Sequence, residues 1–174
     1  MRLKVGKRAL LVAGVAAALV VGILSVAFAG HTNTILFTEL DGRQEVATEA
    51  TDSRIVGDRN GSGEAYVFGI DGDPTTLCYV LVVDKIETAM AAHIHEGPRG
   101  TNGPVVVNLA APGDGNAADC LTEGEILGSG AEAFPGAQVT VAEILANPSN
   151  YYVNVHNAAF PNGAIRGQLA SINR

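Results

Sequence analysis

The sequence lacks several patterns that mark common enzyme sites. It contains no Gly-x-Ser-x-Gly nucleophile motif, and no Ser, His and Asp stand in an order that suggests a catalytic triad. No glycine-rich loop follows a strand and opens a helix, as a phosphate-binding loop would require. We therefore identify no catalytic residue, and we expect a protein that is not an enzyme.

Positive charge is also scarce. All 18 Asp and Glu lie beyond residue 29, but only seven of the 11 Lys and Arg do, which leaves residues 30–174 with a net charge of −11. Lys85 is the only lysine in that part of the chain. Such an acidic chain is a poor partner for nucleic acid or for anionic membrane surfaces. We interpret the acidity as a solvated surface.

The N-terminal segment has the layout of a secretory signal. A basic start at residues 2–8 is followed by an uncharged, mostly apolar run at residues 9–26 and by Ala27-Phe28-Ala29, a small-x-small cleavage pattern. We predict a signal peptide over residues 1–29. Because the apolar run is just short of a typical membrane span, the alternative is an uncleaved N-terminal anchor. In both cases residues 30–174 are expected to be secreted or in the cell envelope, with membrane contact only through an uncleaved segment.

The sequence has two cysteines, and their spacing does not fit the C-x-x-C pattern of a redox pair. In an exported chain, Cys78 and Cys120 are expected to form a structural disulfide. Cys120 comes after a loop-like stretch, residues 111–118, that is rich in Gly, Asp, Asn and Pro. The bridge is therefore expected to attach this loop to a central strand.

Short strand-like runs are separated by Gly, Pro and Asp turns, which indicates antiparallel β-structure. The run at 76–84 lacks polar alternation, so we expect it to be buried on both faces. Thr140-x-x-Glu143 is a capping-box pattern, and Asn147-Pro148 ends the short helix that it predicts near 141–146. The predicted strands are 34–40, 64–70, 76–84, the segment around His93, 105–109, 151–156 and 164–169. We predict one all-β domain, an antiparallel β-sandwich or barrel of Greek-key type.

Two of the four histidines, His93 and His95, are two residues apart in a strand-like segment. Side chains at this spacing point to the same face of a strand, and His156 ends a separate predicted strand. Three neutral imidazoles suit copper or zinc, so one interpretation is a three-histidine metal site. The other needs no cofactor: the histidines hydrogen-bond loop carbonyls and order the loop from Gly97 to Pro104. We expect the second role mainly. The metal-site interpretation requires the three rings to converge on one point, with ring nitrogens that are not already bonded to the backbone. The loop-ordering interpretation does not.

The polar residues near the two histidines can likewise have either a structural or a functional role. Glu96 is interpreted as a solvated acid at a strand end, with a general base or an imidazole-orienting residue as the alternatives. Asn154 is a hydrogen-bonding partner for a buried histidine network. Arg166 is expected to form an interior ion pair with an acid such as Glu45 or Glu96. The adjacent Tyr151-Tyr152 pair is expected to divide between core and surface.

Five blocks in order resemble a CHRD domain, a module named after chordin and widespread in secreted bacterial proteins. The blocks are Leu-Asp-Gly-Arg-Gln-Glu-Val at 40–46; 61–65 with 77–79; Ala-His-Ile-His-Glu-Gly at 92–97 continuing through 103–107; Tyr-Tyr-Val-Asn-Val-His-Asn at 151–157; and Pro-Asn-Gly-Ala-Ile-Arg-Gly-Gln-Leu at 161–169. The resemblance covers residues 34–171. It implies an extracellular β-rich module in which Glu96, Gly97, Asn154, Arg166 and Gly167 are motif residues. It implies no enzymatic activity.

Two positions depart from the family pattern. Asn157 stands where the family usually has Thr, and Ala164 stands where it usually has Glu. Any pairing of that Glu with the nearby arginine is therefore absent from this chain.

A weaker similarity links His93-x-His95-Glu96 to the copper-binding strand of copper/zinc superoxide dismutases. In those enzymes a further copper ligand comes from a late strand, as His156 does here. This sequence has no matching histidine for the zinc side or for the bridge, which argues against a dismutase site. The similarity supports a copper site of three histidines only by analogy.

These observations together predict an exported CHRD-domain protein that acts as a binding or structural module. Its partner would be an unknown extracellular ligand or protein. The alternative is a copper- or zinc-binding metalloprotein that uses His93, His95 and His156.

Overall fold

The structure of the protein is a computed structural model, which describes residues 34–49, 55–136 and 139–172. The predicted signal segment lies outside the described residues, so its cleavage stays a prediction. The elements are β1 Ile35–Asp41, β2 Ser62–Ile70, β3 Asp73–Asp84, β4 Ala89–Glu96, β5 Val105–Leu109, β6 Asn116–Thr122, α1 Val141–Ala146, β7 Tyr151–Asn157, β8 Ile165–Gln168 and β9 Ala170–Ser171. Single 3-10 turns occur at Gly42–Gln44 and Pro148–Asn150. No helix within the described ranges is long and apolar enough to cross a membrane.

The strands form one antiparallel sheet in the order β5-β4-β7-β8-β1-β2-β3-β6, and β9 pairs with β1. Alternate residues of each strand point to one side of the sheet. On that side they form a single apolar core that includes Leu36, Leu81, Ile94, Val153 and Ile165. Because strands from both ends of the sheet contribute to this core, the sheet curls into a nearly closed barrel. The predicted all-β antiparallel fold is confirmed.

The predicted helix is present as α1. The side chain of Thr140 accepts a hydrogen bond from the backbone N–H of Glu143, and Asn147 caps the other end. Val141 and Ile144, three residues apart and therefore on one helix face, are fully buried. They anchor the helix against β2 and β3.

The disulfide joins Cys78 and Cys120 as predicted, but its surroundings differ from the prediction. Cys120 lies in β6, directly opposite Cys78 in the antiparallel register, and not at the end of an irregular loop. The small and polar residues of β6 have low strand propensity, and the strand forms because β3 supplies a hydrogen-bonded edge. β3 is next to the edge of the sheet, so the bridge does not reach a central strand.

The expectation that residues 76–84 are buried on both faces is wrong for the second half of the run. Leu77, Tyr79 and Leu81 face the core and are buried, whereas Val80 and Val82 are 38% and 45% exposed. Valine favours strands through its branched Cβ whether or not its face is covered. A continuous apolar run therefore did not show whether the strand is buried on both faces or on one face only.

Candidate functional site

A polar surface lies on the outer face of three neighbouring strands, β4, β7 and β8. Asn154 in β7 is opposite His93 in β4 and Arg166 in β8. The intervening residues, such as Ile94 and Val153, belong to the core. Strand alternation thus places apolar side chains inside the barrel and the motif polar residues together on its outside.

The loop that follows β4 folds back over this surface. The ring Nδ1–H of His95 donates to the carbonyl of Gly103 at 2.9 Å, and the Gly103 N–H donates to the hydroxyl of Tyr152 at 3.1 Å. Arg166 donates from Nη2 to the carbonyl of Thr101 at 2.7 Å. The loop is therefore attached to three side chains from three different strands.

The three motif histidines converge on this surface. Nδ1 of His93 lies 3.2 Å from Nε2 of His156. The ring centroid of His93 is 5.6 Å from that of His95 and 5.0 Å from that of His156, and the His95–His156 distance is 6.2 Å. Each ring offers one nitrogen such that the three nitrogens lie within 4.8 Å of one another. Zn–N bonds of about 2.0–2.1 Å hold ligand nitrogens within about 4.2 Å of one another, so a small inward shift of the rings would let them surround one metal ion.

Backbone carbonyls fix the orientation of two of the rings. His95 donates from Nδ1 to Gly103, and His156 donates from Nδ1 to the carbonyl of Pro161 at 3.1 Å. Both rings therefore carry their proton on Nδ1 and present Nε2 as an acceptor. Nε2 of His156 faces Nδ1 of His93 at 3.2 Å. Nε2 of His95 is buried and has no hydrogen-bond partner. A carbonyl behind an imidazole is the usual arrangement that orients a metal-ligating histidine.

The surroundings keep all three imidazoles neutral. Burial lowers the pKa of His93 to about 4, with further lowering by the neighbouring His156 and His95 rings. Burial is also the main cause of the lowered pKa of His95 and of His156, opposed in each case by the hydrogen bond to a carbonyl. Neutral imidazole is the form that binds a metal ion.

The Tyr152 ring lies between the imidazole of His95 and the guanidinium of Arg166. The His95 ring stacks on the Tyr152 ring with centroids 4.8 Å apart and planes 7° from parallel. The guanidinium carbon of Arg166 is 3.3 Å from the centroid of the same ring. Because β7 runs between β4 and β8, the two groups approach the ring from opposite sides. Tyr151 belongs to the core and Tyr152 lies on the outer face, as the expected division implies, but Tyr152 is also only 1% exposed because the loop and Arg166 cover it.

The ion pair expected for Arg166 is not formed. The ion pairs found among the described residues join Arg43 to Asp41 and Lys85 to Asp84, and neither includes Arg166. The hydrogen bonds of Arg166 go to the loop carbonyl and amide instead, and its charge lies against the Tyr152 ring. The planar guanidinium combines these two kinds of contact better than an ammonium would.

Glu45 belongs to this surface and was not predicted as a site residue. Its Oε2 accepts a hydrogen bond from Nδ2 of Asn154 at 3.3 Å, and its Oε1 is buried without a partner. Burial raises the pKa of Glu45 to about 8, against the opposing effects of Arg166 and of the Asn154 hydrogen bond. Gly163 makes room for the carboxyl, because a Cβ there would lie 2.5 Å from Oε2.

The remaining motif residues have structural positions. Glu96 is exposed, and its backbone N–H donates to the carbonyl of Pro104 at 3.0 Å. Gly97 is buried, and a Cβ at Gly167 would lie 2.3 Å from Oγ1 of Thr38. The glycines therefore occur where other segments approach the backbone closely.

The fold and the site define a disulfide-bonded antiparallel β-barrel whose polar motif residues meet under loops on one outer face. The family model of the CHRD domain matches residues 36–169, so the chain belongs to the CHRD domain family and the resemblance seen in the sequence is confirmed. No curated protein and no solved structure matches the chain. The family supports a module of unknown ligand, and together with the disulfide it fits an extracytoplasmic location.

Proposed function

We propose that this CHRD-domain protein is an exported module that binds one copper or zinc ion through His93, His95 and His156. The observation that carries the proposal is the convergence of one nitrogen from each ring to within 4.8 Å of the others. Three neutral imidazoles favour copper and zinc over magnesium or calcium, which prefer oxygen ligands.

The hydrogen bonding of the rings supports a metal role beyond loop ordering. A buried acceptor without a partner costs about 1–3 kcal/mol, and Nε2 of His95 is such an atom. A cation at the cluster would satisfy this nitrogen, and it would replace the proton between Nδ1 of His93 and Nε2 of His156. The carbonyls of Gly103 and Pro161 already hold both rings in the tautomer that such binding needs.

Three protein ligands leave a fourth position open. Metal sites of this kind bind water, substrate or an exchanging ligand at that position. We therefore propose metal storage or redox chemistry as the role of the site. The predicted signal segment and the disulfide support placing it outside the cytoplasmic membrane.

A second candidate is a binding module without metal, in which the histidines only order loops. The bonds from His95 to Gly103 and from His156 to Pro161 favour it, because they anchor two loops without any ion.

Metal analysis of the protein purified from its native compartment separates the two candidates. We expect stoichiometric copper or zinc, lost in His93→Ala/His95→Ala and retained in His31→Ala, which removes the one histidine that is not among the proposed ligands. Thermal melting of the metal-free proteins checks that the double variant is folded. Metal-free protein that also fails to bind added Cu²⁺ or Zn²⁺ would contradict the proposal and leave the second candidate.

A further inference from the structure

A cavity of about 300 Å³ is lined in part by Arg166, the residue whose guanidinium lies over the Tyr152 ring. It is lined by residues 43–46, by Arg99 and Gly100, and by Arg166 and Gln168. Residues 43–46 belong to the first block of the family pattern and Arg166 and Gln168 to the last, and the fold brings them together with Arg99 and Gly100 from the loop inside the third block. The metal site uses none of these side chains.

The cavity concentrates the positive charge of an acidic protein. The described residues include five lysines and arginines, and three of them, Arg43, Arg99 and Arg166, line this one cavity. Like charges brought together in this way repel one another unless an anion lies between them. The cationic lining therefore needs an explanation other than surface solubility.

Two of the three arginines have only neutral partners. Arg43 is paired with the carboxylate of Asp41 at 2.8 Å. Arg99 donates to the amide oxygen of Gln44 at 3.0 Å. Arg166 donates to a backbone carbonyl and to the Asn102 amide oxygen, and the nearby Arg99 charge contributes to the lowering of its pKa. Arg99 and Arg166 thus line the same cavity, and neither forms an ion pair with a carboxylate of the described residues.

Glu45 is the acid in the lining, and its environment favours the protonated form near neutral pH. A neutral carboxyl does not cancel the arginine charges, and it offers an O–H donor to a ligand. Its buried Oε1 has no partner within the described structure. The cavity therefore combines two unpaired arginines with one polar group that has an unused hydrogen-bonding atom.

We infer that this cavity binds the oxyanion group, carboxylate or phosphate, of a small molecule between Arg99 and Arg166. The guanidinium fork matches the geometry of both groups, and an anion there would relieve the repulsion between the two arginines. The volume is at the lower end for small-molecule sites, which suits a ligand of few atoms. The site is separate from the proposed metal ion and does not depend on it.

Calorimetric titration of the chelator-treated, metal-free protein with inorganic phosphate and with citrate tests the inference. We expect saturable binding of at least one probe, which also distinguishes phosphate from carboxylate. Arg99→Gln should weaken this binding at least about tenfold, because half of the clamp is lost. Arg59→Gln removes the same charge from an exposed position outside the cavity, and it should change the affinity by less than about twofold.

Two results would overturn the inference: no saturable binding of either probe, or equal weakening by Arg59→Gln, which would indicate only general attraction of anions. Amide chemical shifts provide a second measurement that needs no variant. Addition of the bound probe should move the signals of Gly100 and Gln168, and shifts confined to other regions would also contradict the site. Because the protein is metal-free throughout, failure of the metal proposal would not affect either measurement.

Discussion

Nδ1 of His93 lies 3.2 Å from Nε2 of His156, although 63 residues separate them in the sequence. The contact is a diagonal cross-strand pair: His93 is opposite Asn154, and His156 is two residues further along β7 on the same face. Antiparallel pairing of β4 with β7 therefore creates the cluster. Either a proton or a cation must lie between these two nitrogens, since two lone pairs facing each other would repel.

The histidines predict a loss of stability in acid. Their pKa values are lowered in the folded protein, so the unfolded chain binds more protons once the pH falls below the unfolded value of 6.5. This stability is present above that value and is lost as the pH falls towards the folded pKa of His93, about 4. Because His93 is only partly buried and solvent screens it, the loss from this residue is on the order of 2 kcal/mol. Urea unfolding of metal-free protein across this range measures it, and His93→Gln should flatten the slope. An unchanged slope would contradict the assigned environment.

Glu45 predicts the opposite pH dependence. Its pKa rises from 4.5 to about 8 on folding, so the folded protein holds the proton between these values and stability falls as the pH rises through them. Glu45→Gln mimics the protonated carboxyl. The variant should match the wild type in acid and exceed its free energy of unfolding by roughly 4 kcal/mol near pH 9. The matched exposed change Glu96→Gln should have little effect, and a destabilising Glu45→Gln at high pH would refute a neutral Glu45.

The disulfide predicts a large effect of cysteine removal. Cys78 and Cys120 are 42 residues apart in the sequence, and closing a loop of this size stabilises a protein by about 3–4 kcal/mol in the chain-entropy model. Cys78→Ala/Cys120→Ala should lower the free energy of unfolding by this order, measured by chemical denaturation. A thiol assay on unreduced, denatured wild type should find no free thiol. Two free thiols would show that the bridge is absent.

The loop over the site predicts a strict requirement for glycine at position 103. A Cβ at Gly103 would lie 1.6 Å from the backbone oxygen of Glu96, so Gly103→Ala must displace the loop. The displaced loop would no longer hold His95 through the Gly103 carbonyl. We expect metal affinity to fall at least about tenfold and stability to fall by about 1–3 kcal/mol.

Gly128→Ala is the matched control for this change, because a Cβ there meets nothing within 4 Å. Measurement of Cu²⁺ or Zn²⁺ affinity and of urea unfolding for both variants makes the comparison. Equal metal affinity in Gly103→Ala and wild type would show that the carbonyl does not position His95.

Local sequence patterns predicted where the strands and the helix lie better than they predicted the surroundings of individual side chains. Strand runs, turns and the capped helix were recognisable because they depend on side-chain branching, glycine and capping groups within a few residues. β6 was missed because Asn116-Ala117-Ala118-Asp119 has little intrinsic strand preference and depends on β3 for its hydrogen bonds. The environment of Arg166 was also misjudged, because a stacked tyrosine and loop carbonyls replaced the expected acid.

The amino-acid sequence alone was enough to predict that His93 and His95 share a strand face, since strand alternation is a local property of the backbone. It also determined the cysteine pair, the export-like segment and the family blocks. Three relations are visible only in the folded chain: His156 joins the pair, Glu45 is buried beside Asn154, and Arg99 and Arg166 line one cavity. These relations depend on which strands become neighbours and how loops cover them. Packing of the whole chain sets both, and no local pattern encodes them.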